Sequence, residues 1–186
     1  VKASILLKIP IVTFYVFSTE NWKRPKSEIN FLFKLIKTYF EREMKDVMKN
    51  KIKINFLGKI SNIPKNTRKI IKKTVQKTKK NKNILVNLAI NYGSRAELID
   101  CFNKLKNSKN KVSIKSINNK LYTQNLPDPD ILIRTGGKKR LSNFMLWQLA
   151  YTELNFLDKL WPDFNKNDLK RIVLKYKRIK RNFGGI

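Results

Sequence analysis

Histidine is absent from this chain and cysteine occurs once, at Cys101. A disulfide within the chain and a Cys/His zinc site are both excluded. General acid–base chemistry through an imidazole is excluded as well. The single thiol points to a reducing compartment. Acidic residues are scarce: 13 Asp and Glu stand against 42 Lys and Arg, a formal charge of +29 over 186 residues. That balance favours anionic partners such as phosphates, nucleic acid or acidic membrane surfaces. Because the lysines are spread evenly, as in Lys79-Lys80-Asn81-Lys82 and along 104–111, a solvated surface is favoured over a nucleic-acid footprint. Long apolar runs are missing too. Ala3 to Leu7 has the flavour of a signal core, but Lys8 and Pro10 interrupt it and no small-residue cleavage site follows. No other stretch has the length of a membrane span.

Enough apolar material remains for a core, since 41% of residues are hydrophobic and 11% aromatic. One domain over 1–186 is expected. Five apolar runs read as strands: Ile11–Ser18, Ile52–Gly58, Ile84–Tyr92, Ile131–Thr135 and Leu154–Leu157. The first, third and fourth are nearly continuous, as buried parallel strands are. Helical periodicity fills the gaps. Ile29, Leu32, Ile36, Phe40, Met44 and Val47 follow a cap at Ser27. Ile63, Thr67, Ile70, Thr74 and Val75 form a shorter stripe around Pro64. Ser94 to Glu97 reads as a capping box ahead of Leu98, Phe102 and Leu105. Asn165 caps a last helix carrying Leu169, Ile172, Val173 and Tyr176. The polar stretch 104–120 is expected to be a mobile surface excursion. Strands alternating with helices predict an α/β fold with a mostly parallel sheet flanked by helices. Ligands bind such sheets beyond the strand carboxyl ends, so four segments matter.

The first, at 17–25, crowds Ser18, Thr19, Glu20, Asn21, Trp22 and Arg24 between a strand and a helix. An ordinary loop, with Ser18 or Asn21 capping backbone groups, explains it equally well. In the second, Arg134 ends a strand and Gly136 and Gly137 turn the chain. Lys138, Lys139 and Arg140 follow, and Ser142 can cap a helix. Backbone N–H groups freed by glycine, a helix N-terminus and two guanidinium forks make a diphosphate site. A solvated basic turn is the plainer alternative. The third, Asn91 to Arg95, is a strand, turn and helix start in which Gly93 permits the turn and Ser94 caps. The fourth centres on Glu153, a carboxylate between apolar segments that needs a cation or hydrogen bonds. No nucleotide-binding glycine loop of the usual spacings occurs.

Together these stretches resemble the cis-prenyltransferase family, the undecaprenyl and dehydrodolichyl diphosphate synthases. They are FSTENWKRP at 17–25, NYGSR at 91–95, DILIRTGGKKRLSNFMLWQLAYTEL at 130–154, LWPDF at 160–164 and NFGG at 182–185. The resemblance implies a parallel sheet flanked by helices around an apolar tunnel, which the 27–47 helix borders. It implies repeated condensation of isopentenyl diphosphate onto an allylic diphosphate such as farnesyl diphosphate, with Mg²⁺ as cofactor. Carried across residue by residue, Asn21 is the candidate proton acceptor, although an amide is a weak base and needs help. Ser18, Thr19, Glu20, Trp22 and Arg24 contact substrate, and Arg134, Arg140, Leu141 and Ser142 hold the isopentenyl diphosphate. Glu153 corresponds to a Mg²⁺ ligand. A homodimer, or a heterodimer with a related subunit, is implied. A long lipid product implies peripheral membrane contact, in the cytoplasm or at the endoplasmic reticulum.

The chain departs from the family in three places. The family's Asp-Gly-Asn-Gly-Arg-Trp stretch, whose aspartate serves the allylic diphosphate, does not occur in these residues. A sheet one strand short and little activity from these residues alone are therefore expected. Lys138 stands where the family often has Glu, and Asn182 where it often has a second Arg. The alternative reading is a non-catalytic partner subunit. It sits poorly with the presence of both the 17–25 and the RTGG stretches.

Overall fold

The computed structural model describes residues 1–108 and 111–180; the 182–185 stretch, with Asn182, lies outside them. Two compact units divide the chain, Val1–Gln124 and Asn125–Ile186, and each is built on parallel strands.

In the first unit the elements run α1 (Lys2–Leu6), β1 (Ile11–Ser18), α2 (Lys26–Lys49), β2 (Ile52–Leu57), α3 (Lys65–Thr78), β3 (Ile84–Tyr92), α4 (Ser94–Leu105) and α5 (Ile114–Asn118). Sheet order is β1-β3-β2, with β3 parallel to both neighbours. The apolar runs pair as expected. The central strand β3 is buried almost end to end, whereas β1, of equally apolar composition, lies at an edge of this sheet. One face of the sheet packs on α2 and α3 through Ile52, Ile54, Phe56, Ile84, Val86 and Ile90 against Ile29, Phe33, Ile63 and Ile71. On the other face a polar row crosses all three strands. Asn55 donates to Asn87 at 3.0 Å, and Asn87, fully buried, donates to Thr13 at 3.3 Å. These residues share one register row, so each amide meets a partner where it would otherwise be buried unsatisfied.

Helix ends depart from the sequence expectation in instructive ways. Pro25, not Ser27, caps α2, because its fixed φ already sets the entry to the helix. Pro64 does the same for α3, whose buried face is Thr67, Ile71, Thr74 and Thr78. Ile71 thus takes the core position expected of Ile70, since it continues the four-residue step from Thr67. Gly93, not Ser94, caps α4. Glu97 is 1% exposed and turns inward: its two oxygens accept from the Tyr92 hydroxyl at 2.6 Å and the Tyr122 N–H at 2.7 Å. The expected capping box is therefore absent, and Phe102 points outward while Cys101 and Leu105 are buried. The polar stretch lies at the surface over 106–108 and 111–115, as expected, and is anchored at its far end. Ser113 caps α5, Ile117 and Leu121 are buried, and Glu97 pins the chain at Tyr122.

In the second unit β4 (Ile131–Arg134) pairs in parallel with β5 (Glu153–Phe156), and α6 (Lys166–Tyr176) follows. Asn165 caps α6 as expected, accepting from the N–H groups of Asn167 and Asp168. Asp168 in turn accepts from Lys159 at 2.8 Å and from the Asn165 N–H at 3.0 Å. These contacts draw its carboxyl below the usual range, the Lys159 hydrogen bond contributing most. No helix among the described residues is long and apolar enough to cross a membrane.

Candidate active site

Two sets of candidate residues emerge, one in each unit. In the first unit, β1 ends at Ser18 and the chain enters a 3-10 turn over Thr19–Lys23. Asn21 folds back so that its Oδ1 accepts the Ser18 N–H at 2.9 Å. One lone pair of the amide oxygen is thus taken up in shaping the turn, leaving the NH₂ group and the other lone pair to offer a ligand. Thr19 donates to Glu20 at 3.1 Å. Arg24 pairs with Glu28 of α2 at 2.7 Å, both side chains nearly half exposed. Trp22 is held on three sides: its ring meets Phe17 at 5.3 Å and Phe33 at 5.7 Å, and its N–H donates to Asn91 at 2.7 Å. Asn91 adopts φ +49 and donates to the Lys59 carbonyl at 2.8 Å. The backbone of Gly58 lies directly against this strand end, at φ +121. Just beyond, the Tyr15 hydroxyl donates to the Tyr92 carbonyl at 3.2 Å. Burial, with Glu20 nearby, pushes the Tyr15 hydroxyl up to about 12. It therefore stays protonated and is no base at neutral pH.

Asn91 is a residue the sequence reading passed over in favour of Gly93 and Ser94. Its signal lay in the strand-ending Asn-Tyr-Gly, since asparagine tolerates positive φ better than other side chains.

In the second unit Arg134 ends β4. Its guanidinium donates through Nη1 to the Arg140 carbonyl and to Ser142 Oγ, the latter at 2.8 Å. Burial, then the charge of the neighbouring Arg140, lowers the pKa of Arg134, and an anion bound there would relieve both. Arg134, Arg140 and Ser142 are thus brought together as expected, with Leu141 half-buried between the last two.

Two supporting arguments for that site fail. The Gly136 and Gly137 N–H groups do not wait for a ligand; they donate to the Lys159 and Leu157 carbonyls, both at 2.9 Å. Positive φ at both glycines, +85 and +71, makes this return possible. Nor does Ser142 cap a helix. It has φ +50 and no regular helix follows before β5; Ser142 Oγ is instead an acceptor for Arg134. The anion-binding capacity rests on side chains, not on a helix N-terminus.

Glu153 begins β5 opposite Ile131, three register steps from the Arg134–Phe156 pair, or about 10 Å along the ladder. It is half-buried and shares a small recess with Asn155, Ile172, Lys175 and Tyr176. One hard carboxylate suits Mg²⁺, which takes one or two carboxylates and completes its octahedron with phosphate oxygens and water. Another carboxylate escaped the sequence reading: Asp158 Oδ1 lies 3.4 Å from where a Cβ on Gly137 would stand.

Comparison with known proteins decides the family. The prenyltransferase profile described as undecaprenyl diphosphate synthase matches residues 1–184. The chain belongs to this family. An isoprenyl transferase of Oceanobacillus iheyensis is 40% identical over 193 residues, covering 100% of this chain and 77% of the relative. One from Fusobacterium nucleatum is 43% identical over 179 residues, with 96% and 77% covered. Among solved structures, a probable undecaprenyl diphosphate synthase from Campylobacter jejuni superposes with TM-score 0.90 at 34% identity, over 99% of this chain and 88% of that one. Lavandulyl diphosphate synthase from Lavandula x intermedia, in complex with dimethylallyl diphosphate, gives 0.92 at 28% identity, over 99% and 83%. The chain is therefore a cis-prenyltransferase by family, with the α/β parallel-strand fold that the family implies.

Proposed function

We propose that this cis-prenyltransferase condenses isopentenyl diphosphate onto an allylic diphosphate, such as farnesyl diphosphate, to extend a long-chain polyprenyl diphosphate. One observation carries the reading: the Arg134 guanidinium is held beside Arg140 by Ser142 and the Arg140 carbonyl. That pair offers forked donors matched to a diphosphate. In the condensation the isopentenyl double bond attacks C1 of the allylic chain, diphosphate leaves, and a proton is lost to set the new double bond. Arg134, Arg140 and Ser142 would bind and orient the isopentenyl diphosphate. Asn21, its oxygen engaged with Ser18, fits a hydrogen-bond donor to a diphosphate oxygen better than a proton acceptor. The proton would then pass to diphosphate or water. Trp22 and Arg24 would shape the same loop toward substrate.

Glu153 is the carboxylate that would hold Mg²⁺, with diphosphate oxygens and water as its other ligands. When bound, the ion neutralises charge on the diphosphates. The aspartate of the family's Asp-Gly-Asn-Gly-Arg-Trp stretch is not among these 186 residues, so these residues alone are expected to transfer little. A paired subunit, identical or related, fits the exposed Leu160 and Trp161. Work at a cytoplasmic or endoplasmic-reticulum membrane fits a long lipid product. A non-catalytic partner subunit is the second reading. The intact Arg134–Ser142 cradle speaks against it.

The experiment is isopentenyl transfer with farnesyl diphosphate, labelled isopentenyl diphosphate and Mg²⁺. The 186-residue chain is compared with one carrying a family-type Asp-Gly-Asn-Gly-Arg-Trp segment ahead of it. Label in the lipid phase only from the extended form, abolished by Arg134→Ala, supports the reading. A folded extended form that transfers nothing, alone or with a second subunit, refutes it.

A further inference from the structure

We infer that the outer face of α6 is a docking surface for an anionic lipid bilayer. On this helix Asp168 and Ile172 face inward. An adjoining exposed side presents Asn167, Lys170, Arg171 and Leu174 at steps of three and four; with Lys175 at its edge and Arg178 and Ile179 just past the helix end they line one shallow open groove, and Lys175 and Ile179 also border the recess that holds Glu153. Four cations and no carboxylate line it. Leu174 is 45% exposed and Ile179 36%, so aliphatic side chains stand inside a ring of positive charge. A helix face with cations at its rim and aliphatics between them matches a bilayer interface, where headgroups take the charge and acyl chains the apolar part.

Charge alone does not single this face out, because the whole chain is basic. Helix α3 provides the contrast. It exposes Lys69, Lys72, Lys73 and Lys77, yet none of the large exposed hydrophobics among the described residues lies on it. A solvated face needs no exposed aliphatics, and α3 shows no large one. Nucleic acid fits the α6 groove less well than lipid, since no aromatic ring lies in it to stack on bases. The Arg171 contact with Asp168, at 3.3 Å with Arg171 74% exposed, leaves that guanidinium within reach of a headgroup. The surface is formed by α6 and the turn that follows it, and it borders the Glu153 recess through Lys175 and Ile179.

The test is co-sedimentation of the full 186-residue chain with phosphatidylcholine vesicles, with and without phosphatidylglycerol, at physiological ionic strength. Binding is expected only when phosphatidylglycerol is present. The variant Lys170→Gln/Arg171→Gln/Arg178→Gln should bind those vesicles more weakly by on the order of 10²-fold. A second variant, Leu174→Ser/Ile179→Ser, should still attach at low salt but come off as salt is raised, whereas the parent stays bound. The charge-matched control Lys69→Gln/Lys72→Gln/Lys73→Gln should bind within about twofold of the parent. Circular dichroism and melting curves establish that each variant folds, and the serine variant carries the test if the glutamine variant does not. Equal losses from the α3 and α6 charge variants, or no loss from the α6 variants, overturn the proposal. So does binding to phosphatidylcholine alone.

Discussion

The indole N–H of Trp22 donates to the side-chain oxygen of Asn91 at 2.7 Å across 69 residues of sequence. One bond ties the turn after β1 to the end of β3, and Asn91 passes the link on to the Lys59 carbonyl. The candidate substrate loop is thus fixed by the end of the central strand.

Replacing Asn91 by Gly keeps the positive φ available but removes both side-chain hydrogen bonds. Two such bonds are worth roughly 1–3 kcal/mol together. The expected outcome is a melting temperature lower by several degrees. Isopentenyl transfer by the extended form should fall more than stability alone explains, because Trp22 loses its anchor. Unchanged activity in a folded Asn91→Gly protein would show that the anchor does not matter.

Two glycines make a matched pair. Gly58→Ala would put its Cβ 2.2 Å from the Ile90 carbonyl oxygen and 2.9 Å from that of Asn91. Backbone cannot yield as a flexible side chain can, so a loss of roughly 3 kcal/mol or more is expected. At Gly136 a Cβ meets nothing within 4 Å, and only the positive φ is penalised, at about 1–2 kcal/mol. Urea titration of the two variants should separate them clearly.

Asp100 and Tyr122 give a pH signature. The Tyr122 hydroxyl donates to Asp100, which also meets Lys59 at 3.2 Å. The Tyr122 bond is the largest of the causes that hold the Asp100 carboxyl below its ordinary range. A carboxylate lowered in the folded state stabilises at pH above its unfolded pKa, and that stability goes as pH falls through the folded value. Tyr122→Phe should therefore cost roughly 1.5–3 kcal/mol near neutral pH. The difference from the parent should shrink as acid protonates Asp100. A gap that stays constant down to strongly acid pH would contradict this account.

Ser142→Ala removes one of the two groups holding Arg134, at 2.8 Å. KM for isopentenyl diphosphate is expected to rise about tenfold in the extended form, with kcat changed less, as for a lost binding interaction. Ser142→Thr, which keeps the hydroxyl, should recover most of it. An unchanged KM would remove Ser142 from the cradle.

Much of the fold was legible because apolar composition reports burial directly. All five strands appear within a residue or two of their expected limits, and Asn165 caps α6 because its side chain can do so wherever the chain turns into a helix. The caps at Ser27 and Ser94 were misread for a common reason. Pro25 and Gly93 entered the helices through backbone geometry, which a search for side-chain acceptors does not see. Glu97 was misread because nothing local shows that Tyr92 and Tyr122 will meet it.

The sequence by itself determined the parallel α/β class, the family and the residue types of the candidate site. Those depend on composition, periodicity and contiguous motifs, all of them local along the chain. Only the tertiary structure decided what each group is free to do. It committed the Gly136 and Gly137 amides to Lys159 and Leu157, spent the Asn91 side chain between Trp22 and Lys59, and set Glu153 three register steps from Arg134. Hydrogen bonds saturate, and a donor or acceptor spent on a distant partner is not available to a ligand. Which partner claims it depends on packing between segments far apart in sequence.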